Sequence, residues 1–203
     1  MALHPSTVSG VMFSWATPKN ERFRTYLPDQ RGHGKTDNPQ GVFHFPLLVG
    51  DMLKFVDALS LAQVHGVGYS MGAGVLLGMA VQRPTLFKSL LVIGGNWRPP
   101  TQAQFTQLAG PLEKRKGLAL EVMHPERGMH IGWDYPLTAL STIQCPATLV
   151  AGDRDPVSPI EDAVAMYNTL PNGRLFIVPN SAHFDYHDNP LVKQFLDGWY
   201  TTI

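Results

Sequence analysis

Three groups of side chains in this sequence have the types and order needed to attack a carbonyl: a serine between glycines, a pair of carboxylates, and a histidine near the end. The serine is Ser70, in Gly68-Tyr69-Ser70-Met71-Gly72, which follows a β-rich run and precedes a small, apolar, helical stretch. Such a G-x-S-x-G turn leads sharply from strand to helix and leaves the hydroxyl exposed at the strand's carboxyl end. The helix amino end beneath it favours developing negative charge. A serine is a weak nucleophile until a base takes its proton and an acid orients that base. Gly152-Asp153-Arg154-Asp155-Pro156 offers two carboxylates after an apolar run, and Ser181-Ala182-His183-Phe184 offers an imidazole after the last one. A bland reading stands beside each. Ser70 is then an inert residue of a tight turn, and His183 a surface-loop or helix-packing histidine.

Strands ending on a common edge would gather these groups. Residues 23–27, 64–69, 89–93, 147–151 and 175–178 are rich in β-branched and aromatic residues with little polar alternation, as expected of strands buried on both faces. Residues 45–59, 71–82, 159–170 and 191–200 are helical in pattern. In the first of these, Phe45, Leu48, Val49, Met52, Leu53, Phe55, Val56 and Leu59 recur at three- and four-residue spacing. The alternation predicts an α/β fold, a mostly parallel sheet flanked by helices. Residues 94–141 break the rhythm, with no clear strand but with Pro99-Pro100, Pro111, Lys114-Arg115-Lys116, Pro125 and Pro136. Segments of this length in compact domains are usually functional. We therefore expect a core of residues 1–94 and 142–203 carrying a helical cap or lid at 95–141. The plain alternative is a long crossover with no part in handling substrate.

The chain has 203 residues, 44% of them hydrophobic, enough for one well-buried domain. Charged residues are 16%, and 16 basic side chains balance 16 acidic ones. The zero formal charge gives no long-range attraction to nucleic acid or an anionic membrane. The apolar runs are too short to span a bilayer. Cys145 is the single cysteine, so neither an internal disulfide nor a zinc cluster is expected. The opening Met1-Ala2-Leu3-His4-Pro5 has none of the features of a secretion signal. Together these point to a soluble protein of a reducing compartment, the cytoplasm. No metal-ligand spacing is visible around His124 and His130, and no phosphate-cradling loop or other cofactor motif occurs.

Four segments resemble the α/β-hydrolase fold family, in particular its serine esterase and lactonase-like group. They are Asp29-Gln30-Arg31-Gly32-His33-Gly34-Lys35-Thr36, Gly68–Gly72, the Gly152-to-Asp155 acid loop, and Ala182-His183-Phe184. The chain order Ser, Asp, His is that of the family. The resemblance implies Ser70 as nucleophile, His183 as base and Asp155 as the acid orienting it, with Asp153 left as a loop cap and His33 as a structural residue. It also implies an oxyanion hole of two backbone amides, those of Met71 and, in the stretch matching Leu3-His4-Pro5-Ser6, of Ser6. Pro5 stands where the family has glycine, and its fixed φ constrains the loop.

On that alignment His4 closes the family's third strand, which places the chain as an N-terminally shortened member. Pairing lost from the sheet interior is costly, so three explanations stay open: a gene that begins at an internal methionine, a sequence that is a fragment, or pairing supplied another way, such as by a second copy in a homo-oligomer. The expected activity is hydrolysis of a small-molecule carboxylic ester or lactone through an acyl-enzyme, without cofactor. Carbon–carbon bond hydrolases and cofactor-free haloperoxidases use the same three residues and remain alternatives. So does a hydrolase-like domain that binds a ligand without turnover.

Overall fold

The computed structural model describes residues 1–19 and 21–203. Among the described residues, five strands form one sheet in the order β1 (Ala2–Leu3), β2 (Val64–Tyr69), β3 (Phe87–Ile93), β4 (Ala147–Gly152) and β5 (Gly173–Val178). Every pairing is parallel, with registers such as Leu3↔Gly68, Gly68↔Val92, Val92↔Leu149 and Leu149↔Leu175. In β3, Leu90 and Val92 enter the core on one face while Leu91 and Ile93 enter the core on the other. A strand covered on both faces has no polar side to show, which explains the unbroken apolar runs.

The first core is shared by α1 (Phe45–Ala58), α2 (Met71–Gln82) and α5 (Ile160–Thr169), the second by α6 (Pro190–Thr202) and a 3-10 helix at Gly10–Ala16. In α1 the buried residues Phe45, Leu48, Val49, Met52, Leu53 and Val56 form the expected stripe. Pro46 sits in the first turn, where its missing N–H is not needed. The helix ends at Ala58, so Leu59, expected as the last of the stripe, is exposed. Ten of the twelve α2 residues are buried. This helix shows no polar face because the sheet, α1 and Trp133 enclose it.

Residues 23–27 are a correction to the expected strands. They run extended beside β1, reached by the bond from Ala2 N–H to Tyr26 O at 2.9 Å, but they do not join the ladder. Among the described residues, the bond from Ala2 is not followed by a second one along the two-residue β1, and a ladder needs successive bonds.

Residues 95–141 contain α3 (Gln102–Ala109), a 3-10 turn at Leu112–Lys114 and α4 (Gly117–Val122). A reciprocal capping box of Thr101 and Gln104 starts α3. Phe105, Val122, Met123, Met129 and Trp133 are buried in the same core as α1 and α2. The segment is also stitched to the start of α1, through Phe43 N–H to Arg127 O at 2.7 Å and Phe45 N–H to Ile131 O at 2.9 Å. Trp133 stacks on Phe45 with ring centres 4.1 Å apart.

Candidate active site

All five strands point the same way, so the segments after β2, β4 and β5 emerge on one edge. Ser70 is the single residue between β2 and α2, with φ 52° and ψ −117°. A residue with a side chain is rarely found there, at a cost of about 1–3 kcal/mol. Backbone bonds hold the corner: Ser70 N–H donates to Ile93 O at 2.9 Å, and Gly74 N–H donates to Ser70 O at 3.1 Å. The Ser70 side chain does not cap α2. It is turned outward instead, with Oγ 2.8 Å from Nε2 of His183.

Nδ1 of His183 lies 2.8 Å from Oδ2 of Asp155, and both residues are buried. The other oxygen, Oδ1, accepts the amide hydrogens of Val157 and Ser158, each at 2.9 Å. A carboxylate surrounded by donors is an acceptor, so the Nδ1 hydrogen points at Asp155 and Nε2 is left to accept the Ser70 hydroxyl hydrogen. Asp153 does not reach the histidine. It accepts Ser181 N–H at 3.3 Å and so ties the two loops together.

Two tyrosines complete this cluster, and sequence reasoning had not singled out either. Tyr186 is fully buried and donates to Asp155 Oδ2 at 3.0 Å while accepting Gly152 N–H at 2.8 Å. Tyr69 donates its hydroxyl to the backbone oxygen of His183. Burial, reinforced by the Asp155 charge, holds both phenols well above their ordinary pKa, so they remain neutral donors. The one sequence signal for Tyr186 was its place three residues beyond His183.

The segment Leu3-His4-Pro5-Ser6 runs directly against the elbow. A Cβ on Gly72 would stand 2.2 Å from Leu3 O and 2.7 Å from His4 O, so only glycine admits this approach. His4 is buried and accepts Gln30 N–H at Nε2 (2.9 Å), which directs its Nδ1 hydrogen to Pro5 O at 2.7 Å. The loop after β1 is therefore bonded in place even with proline in it. Ser6 lies in the wall of the cavity that contains Ser70. Met71, the first residue of α2, has one of the amides that a helix cannot satisfy internally.

The Asp29-to-Thr36 segment is a support rather than a wall of that cavity. Asp29 accepts Gly10 N–H at 2.7 Å and Lys35 N–H at 2.8 Å, bonds that lower its pKa. Arg31 pairs with both carboxylate oxygens of Asp51 in α1, at 2.8 and 3.0 Å. His33 is buried against Arg31 O (2.8 Å), and desolvation pushes its pKa down to about 4.

Ser70 and His183 open onto a cavity of about 510 Å³. Phe13 and Trp15 of the 3-10 helix line it together with Leu108, Ala119 and Met123 from the 95–141 segment. Among the described residues, none of that segment's aromatic side chains lines this cavity. Phe105 and Trp133 are core residues, and Trp97 is half-buried against them. Among the described residues, no group of three or more His, Cys, Asp or Glu could hold a metal, and no helix is long and apolar enough to cross a membrane.

Residues 8–132 match the model of the alpha/beta hydrolase fold, and the chain belongs to that family. An uncharacterised protein of Mycobacterium tuberculosis, Rv2715, is 22% identical over 233 residues, covering 87% of this chain and 68% of its own. RutD of Caulobacter sp. strain K31, to which carbamate hydrolase activity is ascribed, is 27% identical over 201 residues, covering 80% and 74%. Among solved structures, the meta-cleavage product hydrolase CumD of Pseudomonas fluorescens IP01 superposes with a TM-score of 0.80 at 15% identity, over 100% of this chain and 90% of its own. A thermophilic esterase of Thermogutta terrifontis gives 0.77 at 19% identity, over 99% and 88%.

Proposed function

We propose that this protein is a serine hydrolase that cleaves a small carboxylic ester or lactone by way of an acyl-enzyme. The observation that carries the reading is the unbroken relay from Ser70 Oγ through His183 to Asp155, with both links at 2.8 Å, opening onto a largely apolar cavity.

His183 Nε2 takes the hydroxyl proton as Ser70 Oγ attacks the substrate carbonyl. Asp155 keeps the imidazole in the required tautomer and stabilises the imidazolium that forms. The amides of Met71 and Ser6 receive the oxyanion, and each such donor is worth about 10²–10³ in rate. His183 then gives its proton to the leaving alkoxide, activates a water by the same atom, and Ser70 is released. The apolar walls limit competing water and favour an apolar acyl or alcohol group.

The test is hydrolysis of short-chain nitrophenyl esters and a simple lactone by the protein beside its Ser70→Ala variant. Loss of nearly all turnover in the variant is expected. Equal rates for the two proteins would overturn the reading and leave a binding domain.

A further inference from the structure

The wall of the cavity contains a cation with no anion. Arg115 is 4% exposed and lines the same cavity as Ser70. Its partners are neutral: Nε donates to Gly110 O at 2.9 Å, while the two terminal nitrogens reach only Met123 O at 3.4 Å and the Thr106 hydroxyl at 3.5 Å. The four half-buried arginines among the described residues, Arg31, Arg83, Arg98 and Arg127, each face a carboxylate. A buried guanidinium without one is costly. Lys114 and Lys116 also line the cavity and are exposed, and among the described residues no Asp or Glu is in its wall. The nearest acid in sequence, Glu113, is exposed and outside the lining.

We infer that Arg115 is a specificity residue, and that the substrate is an ester or lactone carrying a carboxylate remote from the scissile bond. The planar fork of a guanidinium matches a carboxylate with two parallel bonds. Arg115 has spare capacity at the two terminal nitrogens, where its present bonds are longest. The single buried positive charge is balanced by a single negative one. Lys114 and Lys116 at the rim add attraction before binding. The apolar wall between the two ends holds the hydrocarbon that separates the carboxylate from the carbonyl. The inference rests on the hydrolase reading, and the experiment separates the two.

Two probe sets place the carboxylate on either side of the ester: mono-nitrophenyl esters of succinic, adipic and suberic acids against neutral nitrophenyl esters of equal chain length, and acetoxybenzoate against phenyl acetate. At least one charged member is expected to exceed its neutral counterpart by about tenfold in kcat/KM. That advantage should vanish in Arg115→Met and shrink in Lys114→Gln/Lys116→Gln. The neutral esters, which also report a folded protein, should be hydrolysed at similar rates throughout. If Arg115→Met does not fold, Arg115→Lys takes its place and should keep only part of the preference. Ser70-dependent turnover with no charged preference in either set overturns this inference alone. No Ser70-dependent turnover of any ester overturns the hydrolase reading. The inference is then decided by calorimetry on Ser70→Ala, which should bind the charged monoesters about tenfold more tightly than the neutral ones, equal binding overturning it.

Discussion

Tyr186 and Asp155 share a hydrogen bond of 3.0 Å at Oδ2, the same carboxylate oxygen that faces His183 at 2.8 Å. The phenol therefore gives that oxygen a second donor beside the imidazole, while its own oxygen anchors Gly152 at the end of β4. Tyr186→Phe removes both bonds and leaves a buried amide without its acceptor, which costs about 1–3 kcal/mol. We expect a lower Tm, and a several-fold fall in kcat at nearly unchanged KM, measured on short nitrophenyl esters at a temperature where the variant is folded.

Asp155→Asn tests the relay more sharply. The amide is nearly the same size and keeps an oxygen that can accept from Val157 and Ser158, so the fold should survive. An NH2 group now faces Nδ1, and the imidazole is driven to the wrong tautomer. A fall of about 10⁴ in kcat is expected, with an unchanged circular dichroism spectrum as the control and a modest fall in Tm, because the Tyr186 hydroxyl loses its acceptor. Asp153→Asn, by contrast, touches Ser181 N–H and the exposed Arg154, 3.8 Å away, and should leave kcat within a few-fold of the parent.

The close approach of β1 to the elbow predicts opposite results for two glycine-to-alanine changes. At Gly72 the added methyl meets Leu3 O at 2.2 Å, so α2 and the segment carrying Ser6 must part. Gly72→Ala should cost several kcal/mol in denaturant unfolding and lower esterase activity even where the protein remains folded. At Gly50, within α1, nothing stands within 4 Å of the added carbon. Gly50→Ala should raise stability by about 0.5–1 kcal/mol, because alanine is the better helix former.

Acid should weaken the fold through His33. Its folded pKa of about 4 lies below the 6.5 of an unperturbed histidine, chiefly because burial disfavours the charged form. Between these values the unfolded chain binds a proton that the native state does not. Stability is therefore full above pH 6.5 and falls as pH drops toward 4, by roughly 3 kcal/mol from this group. Buried His4, lowered by the same cause, adds in the same direction. Urea unfolding at several pH values should show this slope, and His33→Gln should flatten it.

The sequence made the reacting groups legible because each sits in a local motif at the end of a strand. Gly68–Gly72, the Asp155 loop and His183 needed only the order of elements to be brought together. The stripe of α1 was legible for the same reason, since a helix face is written in its own spacing. Residues 23–27 misled because their composition suits a strand, but whether they join the ladder depends on the length of β1, which is far away in sequence. Tyr186 went unnoticed because its partners, Gly152 and Asp155, are more than thirty residues away. Lys114-Arg115-Lys116 was visible as a basic cluster, but nothing local distinguishes the buried middle residue from its exposed neighbours.

The strands lie side by side in the order in which they are synthesised, with each new one added to the free edge of the last. The three groups of the proposed relay consequently leave the sheet in chain order, Ser70 after β2, Asp155 after β4 and His183 after β5. A fragment ending after β3 would keep the serine on three adjacent strands and yet possess neither the base nor the acid.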